Sequence, residues 1–234
     1  MNPNPLYVAL DTPDLARALQ LARDLGTAVG GIKLGLEFLS AHGPDGIRRL
    51  LEEGLPVFAD VKFHDIPNTV AGAARALCGL GISMFNVHAS GGLAMMQAAK
   101  EAARSAAAPP KVLAVTVLTS LGPDDLTRVG QGGKVEDQVV RLAALAREAG
   151  LDGVVCSARE IAAVRKACGE DFLIVTPGIR PPGAQLGDQV RVMTPREAVR
   201  AGADILVVGR PLTGAANPAE VALSMLAEIK SVSG

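Results

Sequence analysis

The sequence repeats one pattern eight times: a short apolar run, rich in β-branched residues, followed by a helix-like segment. Most of the runs are nearly continuous in apolar character, which is typical of parallel strands covered on their outer face. The runs are LYVALD (6–11), GGIKLG (30–35), PVFADVKF (56–63), ISMFNVHA (82–89), KVLAVTVL (111–118), LDGVVCSA (151–158), FLIVTPGI (172–179) and ADILVVGR (203–210). Eight strand–helix repeats predict an α/β fold, a single-domain (β/α)8 TIM barrel over residues 1–234.

A doubly wound open sheet is the alternative arrangement of such repeats. It would place a glycine-rich fingerprint after the first strand, where this chain has LDTPDL. No composition break or low-complexity linker divides the chain, so we expect one domain. In a barrel of this kind the active site lies at the C-terminal ends of the strands, and the search for function narrows to those ends and the loops after them.

The ends of several helices are also indicated by the sequence. We expect Thr12 to cap the first helix, with a proline at its first position, and Gly26 to end it. Asn217 is expected to cap the last helix, with Glu220 three residues later in a capping-box arrangement.

Composition excludes several classes of function. A net charge of −1 leaves no basic surface to neutralise phosphates along a nucleic acid, so we expect no nucleic-acid partner. No apolar run reaches the ~18 residues of a membrane span, and MNPNPLYVALD lacks the regions of a signal peptide. The three cysteines, Cys78, Cys156 and Cys168, are widely spaced, which favours buried thiols over disulfides or a zinc site. We therefore expect a soluble cytoplasmic protein.

Charged residues interrupt the apolar runs at the ends of the first three strands. In FADVKF the alternation of side chains puts Asp60 and Lys62 on one face, towards the barrel axis. By the same alternation Lys33 points inwards on the second strand, and Asp11 ends the first. Neighbouring strands lie ~5 Å apart, so the four groups are expected to form an alternating network of acid and base. A structural ion-pair network is the alternative, but buried charge pairs stabilise weakly, which favours a catalytic role.

The loops after the last two strands carry a possible phosphate site. TPGIR and VVGRP place Arg180 and Arg210 next to or near glycines, and Gly209 lets the backbone approach an anion. Residues 180–193 form a long stretch without periodicity, which we interpret as a lid that carries Arg180 and Gln189. A passive surface loop is the alternative.

The three histidines are less informative. His64 invites a triad or metal role, but no serine or cysteine nucleophile shares its context and no second histidine has ligand spacing. His88 ends the fourth strand, where it either lines the pocket or satisfies a backbone group. His42 lies in a predicted loop.

The stretch DVKFHDIPNTV resembles the D-x-K-x-x-D-I-P-N-T signature of the orotidine 5'-phosphate decarboxylase family, in its bacterial form. A bare D-x-K-x-x-D is shared with sugar-phosphate decarboxylases and aldolases of the same superfamily, whereas the longer string is specific. Further matches follow in order along essentially the whole chain: VALD, IKLG, NVHASGG, VTVLTS, TPGIR and VVGRP.

The resemblance implies an enzyme that decarboxylates orotidine 5'-phosphate to UMP and CO₂, the last step of de novo pyrimidine synthesis, with no metal or other cofactor. It implies that Lys62 donates the proton to C6 and that Asp60 lies near the substrate carboxylate. Lys33 and Asp65 complete the charged array. Two alternatives stay open: a related sugar-phosphate decarboxylase or aldolase, typically Mg²⁺-dependent, and a phosphate-binding barrel without catalysis.

The resemblance also implies a homodimer, in which Asp65 and Thr69 are shared across the interface together with Ile66. Asp11 and Lys33 match ribose ligands, and Thr119 matches a contact to the pyrimidine. The implied substrate-binding set is Asp11, Lys33, Asp60, Lys62, Asp65, Ile66, Thr69, Thr119, Arg180, Gln189, Gly209 and Arg210.

Overall fold

The computed structural model of the chain describes residues 4–181 and 193–231. Within these ranges eight parallel strands form one closed barrel, in which each strand pairs with the next and the eighth with the first. The strands are β1 Leu6–Leu10, β2 Gly31–Leu34, β3 Val57–Phe63, β4 Met84–His88, β5 Lys111–Val115, β6 Gly153–Val155, β7 Leu173–Thr176 and β8 Ile205–Val208. The predicted (β/α)8 barrel is confirmed, and the open doubly wound sheet is excluded.

Helices follow the strands and cover the outside of the barrel. They are α1 Leu15–Leu25, α2 Leu36–Leu51, α3 Pro67–Cys78, α4 Leu93–Arg104, α5 Pro123–Arg128, α6 Val135–Glu148, α7 Ile161–Cys168, α8 Pro195–Arg200, α9 Arg210–Thr213 and α10 Pro218–Lys230. Helix α2 is broken at Gly43, where φ is 54°. In the described ranges no helix combines the length and apolar character needed to cross a membrane.

The start of α1 differs from the prediction. Asp14 caps the helix, because its Oδ1 accepts the N–H of Arg17 at 3.0 Å. The Thr12 hydroxyl instead accepts the N–H of Asp14 at 3.2 Å and shapes the preceding turn. A carboxylate at this position also interacts favourably with the helix dipole, which a neutral hydroxyl cannot do. Asn217 caps α10 as predicted, since its Oδ1 accepts the N–H of Glu220 at 3.3 Å. The expected capping box is incomplete, because the Glu220 carboxylate accepts from the side-chain Nδ2 of Asn217, at 3.2 Å, and not from its backbone N–H.

Two apolar layers stabilise the barrel. Strand residues such as Val57 and Ala59 face outwards and pack beneath the helices. Their neighbour Phe58 faces the axis with the inner layer, whose buried members are Tyr7, Phe58, Met84, Leu113, Val175, Ile205 and Val207. The alternation therefore turns Asp60, two residues after Phe58, towards the axis as well.

Two carboxylates connect neighbouring strands at the N-terminal end of the barrel. Asp152, just before β6, accepts the N–H of Val112 at 2.8 Å. Asp204, just before β8, accepts the N–H of Ile174 at 2.7 Å and pairs with Arg165 at the same distance. Charge at this rim is thus used to hold neighbouring strands together.

Replacing Gly153 with alanine should weaken the barrel. An added Cβ would overlap the carbonyl oxygen of Leu173 on the neighbouring strand, and backbone cannot move aside cheaply. We expect Gly153→Ala to lower the free energy of unfolding by about 1–3 kcal/mol, measured by urea denaturation. Gly132→Ala is the matched control, because a Cβ there would meet no other described residue within 4 Å; it should change stability by less than about 0.5 kcal/mol. Equal stability of the two variants would contradict close packing of β6 on β7.

Candidate active site

A cavity of about 440 Å³ opens where the strands end. This volume is in the range of small-molecule sites. Its wall has three parts: acidic and basic side chains from β1 to β3, two arginines from the segments after β7 and β8, and an apolar floor. The apolar floor consists of Phe58, Val115, Val155, Val175 and Val207.

Four charged side chains form a row along one wall of the cavity. The Lys62 ammonium lies 2.6 Å from Oδ1 of Asp60, and the Lys33 ammonium lies 2.8 Å from Oδ2 of the same carboxylate. Lys33 also lies 3.5 Å from Oδ2 of Asp11. The signs therefore alternate along the row, in the order Asp11, Lys33, Asp60, Lys62.

Asp60 and Lys33 stay charged although they are buried. Burial by itself raises the pKa of the Asp60 carboxyl, but Lys33 and Lys62 outweigh it and hold the pKa at about 2, below the ordinary value of 3.8. Burial by itself lowers the pKa of Lys33, but Asp60 and Asp11 outweigh it and raise the pKa above its ordinary value. At neutral pH this part of the wall is a fixed ionic array.

The part of β3 that carries Asp60 and Lys62 leaves regular pairing. β3 pairs with β4 at Ala59 and again at Phe63, and between these points three β3 residues oppose the single β4 residue Asn86. Such an insertion is a β-bulge, which is common next to active sites. Within the bulge the backbone of Lys62 has a φ of 51°, in the left-handed region.

Asn86 is a site residue that the sequence analysis missed. Its side chain is buried, with the residue 1% exposed. Its Oδ1 accepts the backbone N–H of Lys62 at 2.8 Å, and its Nδ2 donates to Oδ1 of Asp60 at 2.7 Å. The available signal was an amide at an inward position of the apolar strand MFNVH.

Asp11 packs over the start of α2. A Cβ at Gly35, the residue that precedes this helix, would overlap the Asp11 carboxylate, so glycine leaves room for it there. Gly35 has a φ of −86°, which any residue adopts, and the requirement is therefore one of space. In this position the Asp11 carboxylate lies 3.5 Å from the Lys33 ammonium.

Two arginines line the cavity on the segments after β7 and β8. Arg180 is buried, and its Nη1 donates to the carbonyl of Ile179 at 2.9 Å. Burial, and then the charge of Arg210, lowers the pKa of Arg180. Gly209 lines the cavity beside Arg210, and Thr119 lies on the wall contributed by the segment after β5. Two cations held together favour an anionic ligand here.

The predicted lid lies mostly outside the described residues. These exclude residues 182–192, and with them Gln189. The two ends of the segment are joined, because the N–H of Arg180 donates to the carbonyl of Met193 at 3.0 Å. The segment thus starts and ends at the arginine side of the cavity.

Three of the predicted site residues are not in the cavity of this chain. Asp65, Ile66 and Thr69 are exposed, and Ile66 is 67% exposed. The Asp65 carboxylate accepts the N–H of Ile66 at 2.7 Å. The structure brings together the other described members of the set: Asp11, Lys33, Asp60, Lys62, Thr119, Arg180, Gly209 and Arg210.

The histidines lie outside the cavity lining. The rings of His64 and His88 are 5.4 Å apart, and burial, followed by the charges of His64 and Lys62, lowers the pKa of His88. His42 contacts the carbonyl of Pro13 at 2.7 Å. Among the described residues no group of three or more His, Cys, Asp or Glu side chains is arranged to hold a metal ion.

Comparison with known proteins gives consistent matches. The model of the family described as "Orotidine 5'-phosphate decarboxylase / HUMPS family" matches residues 4–225. A curated relative from Rhodospirillum rubrum, named orotidine 5'-phosphate decarboxylase, is 56% identical and the match covers 98% of this chain and 95% of the relative. One of the same name from Moorella thermoacetica is 57% identical, with coverage of 97% and 92%.

A solved structure agrees with this likeness. The crystal structure of orotidine 5'-phosphate decarboxylase from Lactobacillus acidophilus superimposes with a TM-score of 0.85 at 38% sequence identity. The superposition covers 97% of this chain and 99% of that chain.

Asp60→Asn should remove an acid-dependent part of the stability. Because the pKa of about 2 in the folded protein lies below the ordinary 3.8, the charge of Asp60 stabilises the fold above about pH 4. This contribution, about 2 kcal/mol, is lost as the pH falls towards the folded-state pKa. Urea unfolding between about pH 5 and about pH 2 should therefore show a larger loss for the wild type than for the variant. Parallel curves would contradict the ionic pairing of Asp60.

Proposed function

The chain belongs to the orotidine 5'-phosphate decarboxylase / HUMPS family, and we propose that it converts orotidine 5'-phosphate to UMP and CO₂ without a metal or other cofactor. The observation that carries the proposal is the row of alternating charges, Asp11, Lys33, Asp60 and Lys62, in one wall of the cavity. This row of charges, together with the two arginines that line the same cavity, fits a ligand that bears both a carboxylate and a phosphate. The names of the relatives supply the substrate.

The reaction needs a strong electrostatic contribution from the protein. The bond between C6 and the carboxylate breaks, CO₂ leaves, and the electron pair stays on C6, where the ring cannot delocalise it as an ordinary enolate would. Fixed charges in a site shielded from water can stabilise such a centre. The Lys62 ammonium attracts the developing charge and then donates a proton from Nζ to C6.

Asp60 has two effects in this scheme. It holds the Lys62 ammonium at 2.6 Å, which fixes the proton donor. It also places a negative charge near the carboxylate of the substrate. Two such charges 4 Å apart repel by about 4 kcal/mol at an effective dielectric constant of 20, and the repulsion ends when CO₂ leaves. We assign the larger share of catalysis to the attraction between the Lys62 ammonium and the carbanion. This attraction acts directly on the charge that develops at C6, whereas the repulsion between the two carboxylates assists only because it is relieved as CO₂ leaves.

The other parts of the cavity fit the rest of the substrate. Arg180 and Arg210 are assigned to the phosphate, Thr119 to the pyrimidine, and Asp11 with Lys33 to the ribose. Among the described residues, a Cβ on Gly209 would meet one atom, at 3.8 Å, so their packing does not require glycine there. The open space suits close approach of a phosphate to the backbone. Binding energy from the phosphate can then contribute to catalysis at the distant ring.

We further propose that the enzyme is a homodimer and that Asp65, Ile66 and Thr69 complete the site of the partner. All three are exposed and lie just before or within the first turn of α3, outside their own cavity. A large apolar side chain such as Ile66, exposed beside two polar residues, suits an interface.

The cytoplasm is the proposed compartment, in line with three free, buried cysteines.

The purified protein should form UMP from orotidine 5'-phosphate at the same rate with and without EDTA, followed by the change in substrate absorbance. Lys62→Ala should lower kcat about 10⁴-fold, because both the proton donor and its charge are lost. Lys230→Ala, an exposed lysine on α10, is the control and should keep full activity. Inhibition by EDTA would favour the related sugar-phosphate enzymes, and a fully active Lys62→Ala would contradict the mechanism.

Mixed dimers test the shared site. Lys62→Ala and Asp65→Ala should each be nearly inactive as homodimers. If Asp65 acts in the partner's cavity, a heterodimer of the two variants contains one intact site and should show about half of the wild-type activity. If Asp65 acts within its own chain, every site of the heterodimer is defective and activity stays at the level of the homodimers. The measurement is UMP formation by heterodimers purified with two different affinity tags.

A further inference from the structure

We propose that Asn86 is a positioning residue for Asp60 and Lys62: its side-chain amide replaces the backbone partner that the bulge in β3 lacks. It thereby fixes the proton donor and its carboxylate in the geometry that the reaction needs. The proposal rests on the function proposed above.

The bulge creates a need that the backbone of β4 cannot meet. Three residues of β3, numbers 60–62, oppose the single residue Asn86. A ladder with this mismatch leaves backbone groups on the longer side without a partner. A buried N–H without a partner is unfavourable. The N–H of Lys62 instead donates to Oδ1 of Asn86 at 2.8 Å.

The same hydrogen bond acts on a strained residue. Among the described residues, Lys62 is the one non-glycine residue with a positive φ, at 51°. The Cβ of an L-residue makes this conformation unfavourable, and it persists only where the surroundings enforce it. Asn86 binds the N–H of that residue directly, so it contributes to this enforcement.

The chemistry of the amide also fixes which way it points. A backbone N–H can only donate, so it requires the amide oxygen, and a carboxylate can only accept, so it requires the amide nitrogen. Both requirements are met at once, with Nδ2 donating to Oδ1 of Asp60 at 2.7 Å. The same Oδ1 receives the ammonium of Lys62. Asn86 therefore ties the main chain of Lys62 to the carboxylate that holds its side chain.

Asn86 acts through these two residues and not on the substrate. It is 1% exposed and does not line the cavity. The assigned phosphate and ribose contacts come from other strands. Loss of Asn86 should therefore lower kcat, which depends on the position of the ammonium, much more than it changes KM.

The test compares Asn86→Ala with Thr116→Val. Thr116 is also buried, and its hydroxyl donates to the carbonyl of Val155 at 3.0 Å, so Thr116→Val removes one buried hydrogen bond near the cavity without touching Asp60 or Lys62. We expect Asn86→Ala to lower kcat about 10²-fold with KM changed less than about threefold. Thr116→Val should keep kcat within about threefold, although both variants lose stability in urea.

A second variant separates positioning from a general loss of structure. In Asn86→Asp the protonated carboxyl offers the same acceptor and donor as the amide, whereas the ionised form repels Asp60. The kcat of this variant, relative to the wild type, should rise as the pH falls from about 8 to about 5. Asp60, Lys33, Lys62 and His88 are the other charged or titratable groups around this position, and both proteins contain them. Asn86→Ala should stay low throughout this range.

The outcomes distinguish this proposal from the proposed function. If the wild type forms no UMP, the function is wrong; a crystal structure of Asn86→Ala then still tests the positioning, because Lys62 should leave the left-handed region. If the wild type is active and Asn86→Ala keeps its kcat within about threefold, the role of Asn86 is wrong. A relative kcat of Asn86→Asp that does not change with pH would also overturn it.

Discussion

The carboxylate of Asp60 is the group on which the active site depends. It accepts hydrogen bonds from Lys33, Lys62 and Asn86, at 2.8, 2.6 and 2.7 Å. Without it, the buried Lys33 ammonium would lie close to that of Lys62 with no carboxylate between them, and repulsion and desolvation would lower the pKa of Lys33. With it, the pKa of Lys33 is raised and Lys33 keeps its charge. Compared with apolar side chains of similar volume, a buried ion pair stabilises a fold weakly, although protonating Asp60 alone would destabilise it; we therefore assign its value to holding charge ready for the proposed reaction.

The barrel keeps stability and chemistry at opposite ends. Near the start of the strands, Asp152 and Asp204 tie backbone groups of neighbouring strands together, and the inner layer is apolar. Near the end of the strands, Asp60 and Lys62 continue the inward positions of the same β3 strand but carry charge. Burying that charge is unfavourable, but it happens at a point where the apolar inner layer, nearer the start of the strands, already holds the barrel together.

Features that arise from periodicity could be predicted from the sequence, whereas features that arise from contacts between strands could not. The eight strands follow from the repeated apolar runs, and the inward direction of Asp60 follows from the alternation of side chains along a strand; a single sequence shows both. The bulge does not, because it is a mismatch between β3 and β4 and becomes visible only when Asn86 is seen opposite three residues. The cap of α1 was missed for a similar reason: Thr12 and Asp14 are both good caps, and the path of the chain decides between them.

The bulge and the strained lysine have one physical explanation. A lysine side chain is flexible, and holding it in one conformation costs about 2 kcal/mol of entropy. An ammonium that moved freely would have to be reorganised each time charge develops on the substrate, which removes most of the benefit of a fixed array. At Lys62 the backbone is held by Asn86 and the ammonium by Asp60, so both ends of the side chain are restrained before substrate binds. The strained main chain of Lys62 thus accompanies an ammonium, the proposed proton donor, whose position is already set.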